Sequence, residues 1–301
     1  MTPAQLPAAP LPPTSPPAAL AAEYGLPLLG GRPKLGSYLT KLWNRRSFTV
    51  ELARSRFRAA NEADRLGAAW IVLLPLINAL VYGLIFGFLL KGKRPEHFIP
   101  FLVIGVFIFQ FFAACLSDGA KSIISNRGLV RTVHFPRALL PIASVLQQVY
   151  ALVPMVIVMC GIVLVTGEPL TWRWLRVLPA LALLIVFCAG VAFIAARATI
   201  HVRDIAQLIP FVTRIIFYVS GIFFSVSRLT EGYPKLELLL KANPVNVYIT
   251  LVRDALLNRD REATGVGATA TTWGLGIGWA LVLFVVGFLF CWRAEELYGR
   301  D

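Results

Sequence analysis

Six stretches of the chain, at about 68–90, 98–117, 138–165, 177–196, 205–227 and 273–292, are apolar on every helical face and contain no Asp or Glu. A helix that crosses a bilayer needs about 20 such residues, because each adds roughly 1.5 Å across roughly 30 Å of hydrocarbon. The pattern predicts an all-α integral membrane protein with six transmembrane helices. Arg214 interrupts the fifth stretch. Pro75, Pro141, Pro154 and Pro210 fall within the runs, where neighbouring helices can satisfy the carbonyls they free.

The polar remainder divides the chain further. Residues 1–36 form a Pro/Ala-rich tail that reads as disordered and cytoplasmic; residues 1–33 hold nine of the 20 prolines. No basic stretch leads into an early apolar run there, so the tail does not read as a signal peptide. The region 37–67 predicts a cytoplasmic interfacial helix at 47–63, with Val50, Ala53, Phe57 and Ala60 on one face. Residues 68–301 carry the transmembrane domain. Between the fifth and sixth runs, Asn243-Pro244 supplies an N-cap and a proline at the first helical position. The helix that follows has a stripe of Val245, Ile249, Val252 and Leu256 but is too short to span. It is expected as an external re-entrant helix, dipping into the outer leaflet or lying on it.

Composition agrees with membrane class: 57% of residues are hydrophobic, 15% are charged, and mean hydropathy is +0.70. The net charge of +13 does not point to nucleic acid once its distribution is considered. With the N-terminus inside, cytoplasmic segments hold 17 Lys/Arg and outside loops 11, six of those in the long 228–272 segment. That bias predicts both termini in the cytoplasm. Cys115, Cys160, Cys188 and Cys291 lie within apolar runs and read as small core residues.

Several chemistries find no support. The chain has no Gly-rich loop ending in Gly-Lys-Ser/Thr, and so no phosphate cradle for ATP. His97, His134 and His201 sit at span ends without a carboxylate or Cys cluster, so neither a metal site nor a nucleophilic triad is expected. A secondary transporter would usually need carboxylates inside the spans. A membrane-embedded transferase would need clustered acid–base groups at one face.

Four landmarks occur in order along the chain. They are Leu66-Gly67-Ala68-Ala69-Trp70 with Pro75-Leu76, Leu129 through Arg137 with Pro141, Arg203-Asp204 before Ile209-Pro210-Phe211, and Asn243-Pro244. Together they resemble the ABC-2 type permeases, closest to the Wzm-like polysaccharide and teichoic acid exporters, over roughly 40–295. Within that family the likeness is greatest to the actinobacterial permeases for lipid-linked galactan, a cell-wall precursor. The resemblance implies a homodimer in the bacterial cytoplasmic membrane with two copies of a separate Wzt-like ATPase subunit. ATP and Mg would bind that subunit, and this chain would hold no cofactor and be no enzyme. O-antigen, teichoic acid or another glycolipid stands as the alternative cargo.

On this reading the loop between the second and third runs docks the ATPase. Arg127, Arg131 and Arg137 offer fixed cations, Phe135 an apolar anchor and Pro136 a stiff exit. Arg203 and Asp204 form a second candidate contact, or a salt bridge capping a helix. The arginines of the loop also satisfy the positive-inside bias on their own. Arg214 should face a wet channel or a dimer interface, where it could meet a diphosphate; snorkelling is the alternative. Phe211, Phe217, Tyr218 and Trp70 are candidate channel residues, since sugar rings stack on aromatic faces, although most membrane aromatics simply pack. Asn243 and Pro244 mark an external gate helix.

Overall fold

The computed structural model describes residues 35–62, 66–89, 97–132, 135–230, 232–257, 269–293 and 295. Nearly all of the tail at 1–36 and the loop residues Val133 and His134 lie outside this set, as do the side chains of Arg131 and Thr132. Among the described residues every regular element is helical. Five helices are long and apolar enough to cross a membrane, so the protein is a multi-pass membrane protein. They are α3 (Ala69–Leu89), α4 (Phe98–Lys121), α6 (Leu139–Val165), α7 (Val177–His201, extended by a 3-10 turn at Trp172–Arg176) and α12 (Ala270–Arg293).

The fifth expected span falls short. Its run is helical only over α8 (Ile205–Val219), whose 15 residues reach about 22 Å. The chain then turns at Ser220 and Gly221, the latter at φ +63°, and continues through α9 (Val226–Leu229), α10 (Pro234–Ala242) and α11 (Pro244–Leu256). Apolar composition continues past Val219, but the helix does not. Irregular backbone at membrane depth survives only where protein covers it, and Ser220 through Phe223 are all buried.

Helix α4 forms the centre of the bundle, packed by α3, α6, α7, α8 and α11. Phe101, Ile104, Phe107, Ile108 and Phe111 are nearly solvent-free. Helices α7 and α12 make the closest pair. A Cβ on Gly190 would fall 2.4 Å from the Leu283 carbonyl carbon, and one on Gly287 would fall 2.4 Å from the Gly190 oxygen. Small residues permit this approach where lipid supplies no hydrophobic drive between helices. Cys115, Cys188 and Cys291 are buried and Cys160 partly so, all as free thiols.

Of the two placements expected for α11, the surface one is contradicted. Asn243 does cap it, its side chain accepting from the Val245 N–H at 3.0 Å, with Pro244 at its start. The helix does not lie on a leaflet, however: residues 245–249 and 251–256 are all buried among α4, α7, α12 and the 172–176 turn. A stripe pattern reports one buried face, and a helix inserted into protein buries every face.

The N-terminal region contains two helices, α1 (Leu35–Asn44) and α2 (Arg46–Glu62). The expected stripe on α2 is rotated. Thr49 and Ala53 are buried against α6, and Phe57 meets the Tyr150 ring at 5.9 Å, while Val50 and Ala60 are exposed. Arg56 anchors the packed face by donating to Asn126 Oδ1 at 2.6 Å and Ser144 Oγ at 3.4 Å.

Candidate functional site

Helices α3 and α8 share a groove of about 210 Å³. Asn78 and Tyr82 stand one turn apart on α3, and Thr213, Arg214, Phe217 and Tyr218 follow helical spacing on α8. Gln110 and Phe109 of α4 form its floor. Thr213 turns its hydroxyl back onto the Ile209 carbonyl at 2.7 Å. The groove opens onto a face that this single chain leaves uncovered. Phe211, Ile215 and Tyr218 of α8 and Leu74, Val81 and Ile85 of α3 are exposed, whereas Leu80 and Leu84 line a separate cavity with Phe98 and Leu102 of α4.

The expected channel residues are therefore only partly gathered. Arg214, Phe217 and Tyr218 line the groove. Arg214 is exposed and Phe217 is buried against Tyr82 at 5.1 Å. Phe211 lies on the outer face of α8, 66% exposed. Trp70, half-buried at the start of α3, is not among the groove's lining residues. Asn78, Gln110 and Thr213 were missed. Asn78 and Gln110 are isolated polar residues in apolar runs and Thr213 stands next to Arg214; only the packing of α3, α4 and α8 brings them together.

At the opposite end from α9–α11, the loop between α4 and α6 contains a 3-10 turn (Ile124–Asn126) and α5 (Arg127–Thr132). Arg127 is exposed there. Phe135 is half-buried, its ring 5.6 Å from Phe48 of α2, beside Ile123 and Leu140. The residue expected to grip a partner therefore also fastens the loop to its own chain. Pro136 is buried and Arg137 half-buried. Arg203 and Asp204 are exposed ahead of α8, and no cap or ion pair joins their side chains.

The loop's exit is tied to both termini of the described chain. The Arg137 N–H donates to Glu295 Oε1 at 3.1 Å, Tyr38 Oη donates to Glu295 Oε2 at 2.9 Å, and the Ala138 N–H donates to Tyr38 Oη at 3.3 Å. Burial pushes the Glu295 carboxyl above its usual range, opposed by the hydrogen bonds from Arg137 and Tyr38. Burial, with Glu295 beside it, likewise raises Tyr38. Among the described residues no cluster of three or more His, Cys, Asp or Glu could hold a metal.

Helix α11 adds two charged residues to the interior, Arg253 and Asp254. Both are almost fully buried, at 2% and 1% exposure. Arg253 donates to three backbone carbonyls, and Asp254 pairs with Arg176 at 3.8 Å. The two follow one another in a short, mostly apolar helix, and only the packing of that helix buries them.

The chain thus combines helices long enough to cross a membrane, a helix that ends at Val219 and is followed by a buried return helix, and a polar groove between α3 and α8. Residues 50–257 match the ABC-2 type transporter family, and the chain belongs to that family, whose members are the membrane transport subunits. The chain is also similar to two O-antigen export system permease proteins RfbA from Klebsiella pneumoniae. They are 24% and 23% identical over 210 residues, which is 69% of this chain and 80% of each relative.

Proposed function

We propose that this chain is the permease subunit of an exporter that moves a lipid-linked polysaccharide across the bacterial cytoplasmic membrane. A separate ABC ATPase subunit binds ATP and Mg and supplies the work; this chain has no ATPase site of its own. The observation that carries the reading is the groove holding Arg214, Tyr218, Asn78 and Gln110 on the uncovered α3–α8 face. Polar groups on a surface at membrane depth are costly against lipid and useful in a wet path. Two copies joined across that face, each with one ATPase subunit, would turn two open grooves into one channel. Both termini then lie in the cytoplasm, α1 and α2 rest at the inner surface with their exposed Arg and Lys near anionic headgroups, and α9–α11 form the outer gate region.

For the cargo we propose a lipid-linked galactan precursor, on the resemblance of the ordered landmarks to the permeases for that polymer. O-antigen-like polymers are the second reading, supported by the two relatives' names. Depleting the chain in its native host and identifying the lipid-linked glycan that accumulates on the inner leaflet separates them. Accumulated galactan supports the first, another polymer the second. No accumulating glycan overturns the assignment to polysaccharide.

A further inference from the structure

We propose that Arg253 is a positioning residue that keeps the groove closed at its Gly221 end, by holding the break after α8 and the re-entrant helix α11 onto the first turn of α4. The inference rests on the reading of the groove as the transport path. Arg253 Nε and Nη2 donate to the Phe101 carbonyl at 3.1 and 2.9 Å, Nη1 to Gly221 at 2.9 Å, and Nη2 to Ile222 at 3.0 Å. The guanidinium also stacks on the Phe101 ring, 3.4 Å from its centroid.

The geometry follows from what a broken membrane helix lacks. The last carbonyls of α8 and the turn beyond it have no intrahelical donors and carry the negative end of the helix dipole. Water would satisfy them at a surface; inside the bundle a fixed cation with five N–H groups does so. Gly105 makes the room: a Cβ there would sit 2.6 Å from Arg253 Nη2.

The held carbonyls lead directly into the aromatic end of the groove. Phe223, next after Ile222, stacks on Phe86 at 4.0 Å and meets Phe217 at 5.1 Å and Tyr82 at 5.3 Å. Tyr82 and Phe217 also line the groove. Fixing the Gly221 and Ile222 carbonyls therefore fixes the backbone that places Phe223 as a stopper between groove and exterior. A lysine could reach only part of this carbonyl set, and a methionine none of it.

The test uses the full chain with Cys160→Ser, the three buried cysteines kept, and Thr213→Cys as a reporter in the groove. Membrane vesicles of each orientation are treated with a membrane-impermeant thiol reagent. The parent should label only from the Ile205 side of α8. Arg253→Met should raise labelling from the Gly221 side at least about tenfold, the shift that one lost charged hydrogen bond makes in a two-state equilibrium. Arg253→Lys should fall between, a rescue that a volume effect alone does not give. Parent-level labelling of the Met variant from the Gly221 side overturns the role of Arg253. If that variant does not accumulate in membranes, Gly105→Ala, which displaces the guanidinium, decides by the same criterion. A parent unlabelled from either side overturns the groove reading itself, and this proposal with it.

Discussion

Arg214 is exposed on the apolar helix α8, and a guanidinium against hydrocarbon costs at least about 2.5 kcal/mol. A partner surface or water must cover it. Arg214→Ala should insert normally and slow export roughly tenfold to a hundredfold, the loss of one charged hydrogen bond to a diphosphate. Arg214→Lys should keep part of the rate, because it replaces a bidentate fork with a point charge. Membrane level and export, measured together in both variants, check this; normal export by a well-expressed Ala variant removes the headgroup role. Glu295 offers a pH readout. Its carboxyl is raised above the ordinary value of 4.5, so its neutral form is favoured in the fold. That stability is fully present below the ordinary value and is lost as pH rises through the raised one. Glu295→Gln should flatten the fall in melting temperature over that window, as thermal unfolding in detergent would show. Arg214 stands out in the sequence because a charge inside an apolar run is costly against lipid. Arg253 does not, because its burial comes from Phe101, Gly221 and Ile222, remote in sequence and joined only by the fold.

At the scale of elements, long apolar runs translated directly into α3, α4, α6, α7 and α12. The run at 205–227 did not, because hydropathy records where a chain can sit and not where its helix ends. The end of α8 is set at Gly221 by a positive φ and by side chains from α11. Likewise the face of α2 was misread by about one residue, since Arg56 is drawn inward by Asn126 and Ser144. The loop between α4 and α6 is fastened to α2 through Phe135. Phe135→Ala should cost about 1–3 kcal/mol, below the value for a fully buried ring, and free the loop from α2. Co-purification of the ATPase subunit should fall while the bundle stays folded; unchanged co-purification and export would exclude the loop as the coupling element. The α7–α12 crossing is less forgiving. Gly190→Leu must push apart backbones in contact, so the folded fraction in membranes should drop sharply by protease resistance.

For the whole molecule, the uncovered face of α3 and α8 is the feature a single sequence hints at least: each run is apolar whether it meets lipid, its own bundle or a second copy. Family membership and the transport role were legible from the ordered landmarks, whereas the convergence of Asn78, Gln110 and Arg214 needed the packing. On the proposed division of labour the purified chain alone should hydrolyse no ATP; sustained turnover by the contaminant-free chain would refute it. The brevity of α8 also bears on membrane voltage. Helix α8 covers about 22 Å where neighbours run past 30 Å, and the wet groove proposed along it would leave the buried turn at 220–223 as the insulating layer across which the potential falls. Each negative charge carried outward against an inside-negative membrane gains about 2.3 kcal/mol per 100 mV, and a diphosphate carries more than one. Export into voltage-clamped vesicles should therefore quicken as the cytoplasmic side is made more negative, with the field contributing part of the work otherwise drawn from ATP.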